Sequence, residues 1–208
     1  MQRRTLDFLF SLGGLALAGL LLVMGLVLTS NANFSTDYET EQLSEQKITF
    51  KARDALTDEE KKSACVVKNA GKPLTTGKQA ECYANEFIGL HVKAVPAAHG
   101  MTYAELGVPQ GELKAKVAAA QASNDPGLAE LQTQLADVTA ARETLFKGET
   151  LRGLLLTSYG FSVLGTKAEE IATVSFILAG LTLLLSIAGL VHAFTTPKSE
   201  AVGEPESA

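Results

Sequence analysis

The sequence predicts an all-α fold in which two transmembrane helices flank an extracytoplasmic helical domain. Residues 8–28 and 171–194 contain no Asp, Glu, Lys or Arg, and a bilayer core needs about 20 consecutive apolar residues at helical rise. The segment between them contains repeated helix-capping patterns. We therefore expect a cytoplasmic N-terminus at residues 1–7, spans at 8–28 and 171–194, the domain at 29–170, and a disordered cytoplasmic tail at 195–208.

The basic residues predict the orientation of the spans. Arg3 and Arg4 precede the first span, whereas residues 29–46 contain no Lys or Arg. Because Lys and Arg beside a span resist translocation, the N-terminus should be cytoplasmic, and two crossings return the C-terminus to the same side. This predicts a multi-pass protein of the cell membrane.

The first span has an alternative interpretation as a cleaved signal peptide. Ser30 and Ala32 offer small residues at the −3 and −1 positions of a cleavage after Ala32, which would leave one anchor on a chain that starts at Asn33. The apolar run is longer than the usual signal-peptide core of about 7–15 residues, so we expect the span to be retained.

Two cysteines, Cys65 and Cys82, both lie in the segment that we predict to be extracytoplasmic. In an oxidising compartment such a pair predicts a disulfide, and closing a loop of this length stabilises a fold by about 3 kcal/mol. A metal pair or a redox couple fits less well, because there is no C-x-x-C spacing and no further cysteine.

Two capping boxes predict the first helices of the domain. Thr57 with Glu60 predicts a helix over residues 58–69, and Thr76 with Gln79 predicts one over 77–92. The apolar face of the second helix consists of Ala80, Tyr83, Ala84, Phe87, Ile88 and His91. Cys82 points away from this face, so we expect a disulfide to tie the rim of a helical hairpin.

The rest of the domain also follows helical patterns. Thr102 and Glu105 predict a short helix that stops at Gly107, and residues 109–123 predict an Ala-rich helix. Asp125 caps the following helix, with Pro126 at its first position. The seam of that helix is Leu128, Leu131, Leu135, Val138 and Leu145. Three heptads with a polar break favour an antiparallel pair with the preceding helix over a long coiled-coil dimer.

Segments next to the spans carry further expectations. Residues 36–46 either continue the first helix outward or form a juxtamembrane segment of their own. Residues 149–165 are the most apolar stretch outside the spans, and we expect them to pack into the helical core or to lie along the membrane surface. Thr166 with Glu169 predicts a cap at the start of the second span.

Composition limits the partners. The net charge is −5 and the basic residues do not cluster, so we expect no nucleic acid partner. Small residues are spaced four apart in both spans, as Gly14 with Ala18 and Ser175 with Ala179. This spacing favours close helix packing, either between the two spans or against other membrane helices. Membrane lipid and a membrane-protein partner or a second copy are the expected partners.

Several phrases carry a resemblance: residues 31–34 (NANF), 74–85 (LTTGKQAECYAN), 89–91 (GLH), 100–107 (GMTYAELG) and 148–161 (GETLRGLLLTSYGF). With these the chain resembles, over nearly its whole length, a family of uncharacterised actinobacterial two-span membrane proteins that are often catalogued as aromatic ring-opening dioxygenases. The resemblance implies the two-span topology and an actinobacterial cell membrane.

The catalogued activity can be compared with the residues. Extradiol ring opening needs ferrous iron on two histidines and one carboxylate. His91 and His99, with Glu105 or Glu86 as a third ligand, are the candidates, although a histidine on an apolar stripe is more often a core residue. No nucleophile, nucleotide or zinc-protease motif is present, so we expect no catalytic residue and no cofactor.

The leading hypothesis is a non-enzymatic membrane protein whose outer domain is an interaction module or an accessory subunit of a cell-envelope complex. The alternatives are a metal-dependent, dioxygenase-like enzyme that uses His91 and His99, and a small-ligand sensor.

Overall fold

The computed structural model of the chain describes residues 3–197, and in this range the fold is all-α. Two long apolar helices flank a region that contains a disulfide between Cys65 and Cys82, as predicted. The α-helices are α1 (Arg3–Glu45), α2 (Ala64–Asn69), α3 (Gly77–Cys82), α4 (Gly89–Lys93), α5 (Gly107–Ser123) and α6 (Leu128–Thr195). Short 3₁₀ turns lie at Arg53–Ala55, Glu60–Lys62 and Pro96–Ala98, and a π-helical segment, Tyr83–Ile88, joins α3 to α4.

The described residues divide into two compact units. Residues 3–37 and 163–197 form the helix-pair unit, and residues 38–162 form the central unit.

In the helix-pair unit, α1 and α6 run antiparallel with a constant register. A methyl group added to Gly14 would collide with Ser186, and one added to Gly189 would collide with Ser11. Farther along, a methyl group on Gly165 would lie 3.0 Å from the Ser35 hydroxyl. The other buried positions of the seam are also small: Ala18, Ala32, Ala172, Ser175, Ala179 and Ala193. Small side chains let the two backbones approach closely, which is how helices associate where no water drives them together.

Both long helices continue beyond the predicted spans. Residues 36–45 extend α1 rather than forming a separate segment, and α6 is one helix of 68 residues. The predicted helix start at Thr166 is therefore wrong. Glycine within a helix costs about 1 kcal/mol relative to alanine. At Gly148 and Gly165 that cost is offset by close approach, because an added methyl group would lie 2.5 Å from Val92 and 3.0 Å from Ser35, respectively.

The core of the central unit forms where residues 43–88 meet α6. Its buried side chains are Leu43, Phe50, Leu56, Val66, Leu74, Ala80, Cys82, Ala84, Ile88 and Leu155. A second, smaller cluster contains Ala98, Leu106, Ala141 and Leu145. The apolar stretch at 149–165 packs into the core only in part, because Leu155 is 3% exposed whereas Leu154, one residue earlier, is 63% exposed.

The two capping boxes have different outcomes. Thr76 and Gln79 form the predicted box, and a helical segment follows it from Gly77 to Lys93. The predicted helix over 58–69 is broken, because the Ser63 hydroxyl accepts a hydrogen bond from the Val66 amide and starts α2 there. A serine at an N-cap satisfies amides that would otherwise lie inside a longer helix.

Two further expectations need correction. Gly107 is the first residue of α5 rather than a helix stop. Cys82 is 5% exposed and belongs to the core of the central unit rather than to a rim, and α2 contacts α3, the helix that contains it.

The α5–α6 hairpin follows the predicted antiparallel arrangement. The Gln110 amide donates to the Thr139 hydroxyl at 2.9 Å, and Arg142 donates to the Gln110 side-chain oxygen at 2.7 Å. Asn124 ends α5 in the left-handed region with φ 52°, and the Asp125 carboxylate accepts from the Gly127 amide at 2.7 Å. Asparagine tolerates this conformation better than most residues, which permits the tight turn.

Candidate functional site

A buried carboxylate in the central unit, that of Glu60, is bonded to residues from distant parts of the sequence. Its side chain is 0% exposed. Oε1 accepts from Lys51 Nζ at 2.7 Å, and Oε2 accepts from the Thr57 amide at 2.7 Å. His91 Nε2 lies 3.2 Å from Oε1. The Thr57 and Glu60 side chains thus make the predicted capping contacts, but the carboxylate also joins three segments of the chain.

A row of packed aromatic rings ends at His91, which faces Glu60. Phe50 and Tyr83 pack edge to face, with their ring centres 5.1 Å apart. The ring centres of Tyr83 and Phe87 are 4.7 Å apart, as are those of Phe87 and His91. Lys51 Nζ lies 5.2 Å from the centre of the Phe87 ring, a distance at which a cation is attracted to an aromatic face.

The balance of forces on Glu60 favours its ionised form. Burial alone raises the pKa of the carboxyl, but the hydrogen bonds from Lys51 and Thr57 and the charge of Lys51 outweigh it. The net pKa lies below its usual value. Because both oxygens are already engaged, Glu60 is suited to holding segments together and not to receiving a substrate.

A second buried carboxylate, Glu39 on α1, has the opposite tendency. The residue is 8% exposed. Burial raises the pKa of its carboxyl, while hydrogen bonds from the Gly77 amide and the Ser162 hydroxyl act in the other direction and do not cancel the rise. An added methyl group on Gly77 would collide with Ser162, so only glycine lets the start of α3 approach this carboxyl.

The candidate metal ligands are not brought together as a ligand set. His91 Nδ1 bonds the Phe87 carbonyl at 2.7 Å, while its Nε2 faces Glu60. His99 ends a 3₁₀ turn in the left-handed region with φ 48°. Glu105 accepts from the Thr102 amide at 2.7 Å and from its hydroxyl at 2.8 Å, and these bonds lower the pKa of the carboxyl. Within residues 3–197 no group of three or more His, Cys, Asp or Glu side chains is placed to hold a metal ion. Glu86, the alternative third ligand, is therefore not part of such a group either.

Glu60 was not among the candidate site residues, although its capping-box position was visible in the sequence. A capping glutamate is ordinarily solvent-exposed, whereas this one is 0% exposed and contacts Lys51 and His91, which are distant in sequence.

The disulfide borders a polar cleft of about 510 Å³. Cys65 and Cys82 join α2 to α3, and the Ser63 hydroxyl lies 3.4 Å from the Cys65 sulfur. Charges of both signs line the cleft, from Lys68, Lys78, Glu81 and Glu86. Lys78 is already bonded to Glu81 and to the Tyr159 hydroxyl, each at 3.1 Å.

A histidine on α6 and a carboxylate on α1 are in contact at one end of the helix-pair unit. His192 Nδ1 lies 3.0 Å from an Asp7 carboxylate oxygen, and the rings of Phe8 and Phe194 pack edge to face at 5.2 Å. Beside these contacts a cleft of about 260 Å³ opens between the helices.

The two long helices are the segments of residues 3–197 that are long and apolar enough to cross a membrane. Comparison with known proteins finds no matching family model, no matching curated protein and no matching solved structure.

Proposed function

We propose that this chain is a two-span integral membrane protein whose central unit serves outside the cytoplasm as an interaction module or accessory subunit of a cell-envelope complex. The uncovered apolar surface of the long helices carries this proposal. The most apolar 18-residue windows of α1 and α6 have mean hydropathies of 2.3 and 2.4, yet only 11% and 17% of these windows are buried. A core helix of a water-soluble protein would be mostly buried, so lipid is the solvent that suits these surfaces.

The packing of α1 on α6 favours retention of the first span over its removal as a signal peptide. Ser11 faces Gly189 and Gly14 faces Ser186 in a reciprocal pattern. Cleavage after Ala32 would leave that half of the α6 seam without its partner. Two helices that are matched in this way are expected of a permanent pair.

Charge and redox chemistry support the orientation. Arg3 and Arg4 precede the first span, and residues 29–46 contain no basic residue. The Cys65–Cys82 disulfide belongs to the central unit, and such bonds persist in oxidising compartments outside the cytoplasm.

The central unit also exposes large apolar side chains that a protein partner could cover. Leu154 and Phe146 on α6 are 63% and 54% exposed, and Val108 on α5 is 67% exposed. The polar centre at Glu60 is saturated by its own chain. An interaction role therefore accounts for these exposed apolar side chains, whereas a catalytic role would not.

Single-cysteine labelling tests the topology. Both native cysteines are in the disulfide, so an added cysteine is the only thiol that can react. A membrane-impermeant maleimide should label Ser123→Cys in intact cells, but should label Thr5→Cys only after lysis. The reverse pattern would refute the orientation.

The interaction role needs a separate measurement. Cross-linking with mass spectrometry in native membranes should recover a recurrent neighbour that is attached to the central unit. A monodisperse monomer in mild detergent, with no neighbour cross-linked in the membrane, would refute the accessory-subunit role while leaving the topology intact.

A further inference from the structure

A cleft of about 340 Å³ lies along the α5–α6 hairpin of the central unit. Its charged lining residues are Lys114, Arg142, Lys147 and Glu143, so that three are basic and one is acidic. The whole chain, in contrast, has a net charge of −5. The cleft is therefore a local positive surface on an acidic protein, and a cleft of this kind attracts negatively charged groups.

The positive charges of Arg142 and Lys114 are not neutralised by the described part of the chain. Glu143, the acidic residue of the cleft, lies 3.7 Å from Lys147 Nζ. Neither Arg142 nor Lys114 forms an ion pair with another residue in the range 3–197. A carboxylate from outside the chain would therefore gain two cations without displacing an internal partner.

The hairpin holds the Arg142 guanidinium in place before any ligand binds. Its Nη1 donates to the side-chain oxygen of the buried Gln110 at 2.7 Å, and its Nε donates to the Tyr103 carbonyl at 3.2 Å. Its central carbon lies 4.4 Å from the centre of the Tyr103 ring. A side chain that is ordered in this way loses little conformational freedom when it binds a carboxylate, which favours affinity.

Two aromatic side chains provide an apolar anchor beside the cations. The ring centres of Tyr103 and Phe146 are 5.5 Å apart, and the two residues are 39% and 54% exposed. Tyr, Phe and Arg are enriched in protein–protein interfaces. The volume is at the lower end of the range of about 300–1,000 Å³ for small-molecule pockets, and the Glu143 and Lys147 side chains are 66% and 77% exposed. The cleft therefore suits one or two side chains of a larger partner better than an enclosed small molecule.

We propose that this cleft is the docking site of the central unit for an acidic segment of another protein. A carboxylate of that segment bonds to Arg142 and Lys114, and a neighbouring apolar side chain packs on Phe146. The inference rests on the proposed interaction role and adds the chemistry of the partner to it. A second copy of the chain that docked through the same cleft would bring two positive surfaces together, which is unfavourable.

Photo-cross-linking from position 146, on the full chain in native membranes, tests the site. Phe146→benzoylphenylalanine keeps an aromatic ring in the cleft and attaches on irradiation to the molecule in contact with it. Mass spectrometry should identify one recurrent protein, joined through a peptide in which Asp and Glu outnumber Lys and Arg. Attachment to lipid alone, to a second copy of the chain, to a neutral or basic segment, or to nothing would each overturn the proposal.

Charge reversal in the same photoreactive chain provides a quantitative control. Lys114→Glu replaces an attraction by a repulsion and should lower the yield of this cross-link about three- to ten-fold, the scale of one exposed charge contact. Lys114 is preferred to Arg142 as the position to change, because Arg142 also bonds across the hairpin and its loss would disturb the fold.

The matched control is Lys116→Glu. Lys116 is an exposed lysine on the same helix, α5, but it does not line the cleft, and its reversal changes the net charge of the chain by the same amount. Lys116→Glu should leave the yield unchanged. Equal yields from the two variants would overturn the role of the positive charge.

Amine-reactive cross-linking in the same membranes separates this proposal from the interaction role. If it joins no protein to the central unit, the interaction role itself is wrong. If it joins a protein to the central unit while the photoreactive group at position 146 reaches no acidic segment, the interaction role stands and only this docking site is wrong.

Discussion

Replacing Glu60 by alanine removes a carboxylate that is 0% exposed and accepts hydrogen bonds from Lys51 and from the Thr57 amide, each at 2.7 Å. A hydrogen bond to a charged group contributes about 1.5–3 kcal/mol, and breaking a buried ion pair from one side costs about 3–5 kcal/mol. The low end applies here, because Lys51 is 39% exposed and its ammonium can be rehydrated. We expect a loss of about 3 kcal/mol in the free energy of unfolding of the central unit.

Pulse proteolysis across a urea series, on the full chain in mild detergent, measures this loss. Glu59→Ala is the matched control, because Glu59 is the preceding residue and is 64% exposed in an ion pair with Lys62. Exposed pairs of this kind contribute about 0–1 kcal/mol. If the two variants unfolded at the same urea concentration, Glu60 would not be the junction that we describe.

The free energy of unfolding of Glu60→Gln as a function of pH is a second test of the role of this carboxylate. The pKa of Glu60 lies below its ordinary value of 4.5, so the folded state favours the ionised form. The stability that this provides is present above the ordinary pKa and is lost as the pH falls through the lower, folded-state pKa. The wild type should therefore exceed Glu60→Gln in stability at neutral pH, and this advantage should shrink below about pH 4.5. A constant difference from pH 7 to pH 3 would contradict the argument.

Three further predictions concern other parts of the molecule. Gly14→Leu should destabilise the helix pair by about 1–3 kcal/mol in SDS-induced unfolding, because the larger side chain would collide with Ser186. Gly13→Leu should not, because an added methyl group on Gly13 meets nothing within 4 Å. Equal unfolding midpoints for the two variants would contradict the close packing of α1 on α6. Replacing both Cys65 and Cys82 by alanine should lower the free energy of unfolding of the central unit by about 3 kcal/mol in urea, and an unchanged midpoint would show that the cross-link is energetically silent. Burial raises the pKa of Glu39, so the contribution of this residue to the free energy of unfolding is present at low pH and is lost as the pH rises through that pKa. Glu39→Gln should therefore gain stability relative to the wild type from about pH 4 to about pH 8, whereas Glu60→Gln should lose it. Parallel pH profiles for the two variants would refute this.

Local patterns predicted those features of the fold that depend on a few neighbouring residues. The Thr76–Gln79 capping box starts a helix where expected, since both of its hydrogen bonds lie within four residues. The same pattern at Thr57 forms its bonds but does not start the predicted helix, because Ser63 provides a competing cap six residues later. The sequence alone does not show which of two neighbouring capping patterns starts a helix, because the packing of the residues that follow decides it.

Candidate site residues were harder to predict than helices. His91 was placed on the apolar face of its helix, but its ring is half exposed, and its partners come from Phe87 and from Glu60, 31 positions earlier in the chain. The structural role of a glycine was equally difficult to predict from the sequence. Gly107 resembles a helix stop, yet it begins α5 beside the Arg142 guanidinium, which would lie 3.5 Å from an added methyl group.

The sequence by itself determined that the protein is helical, that two segments are apolar enough to cross a bilayer, and that two cysteines are available to pair. These properties follow from composition and from spacings of three or four residues along one helix. Only the tertiary structure decided that α6 runs unbroken over 68 residues, that Glu60 is buried against Lys51 and His91, and that small residues of α1 and α6 lie against each other. Each of these depends on which distant backbone approaches a given side chain. That approach is set by the packing of whole helices and not by local preference.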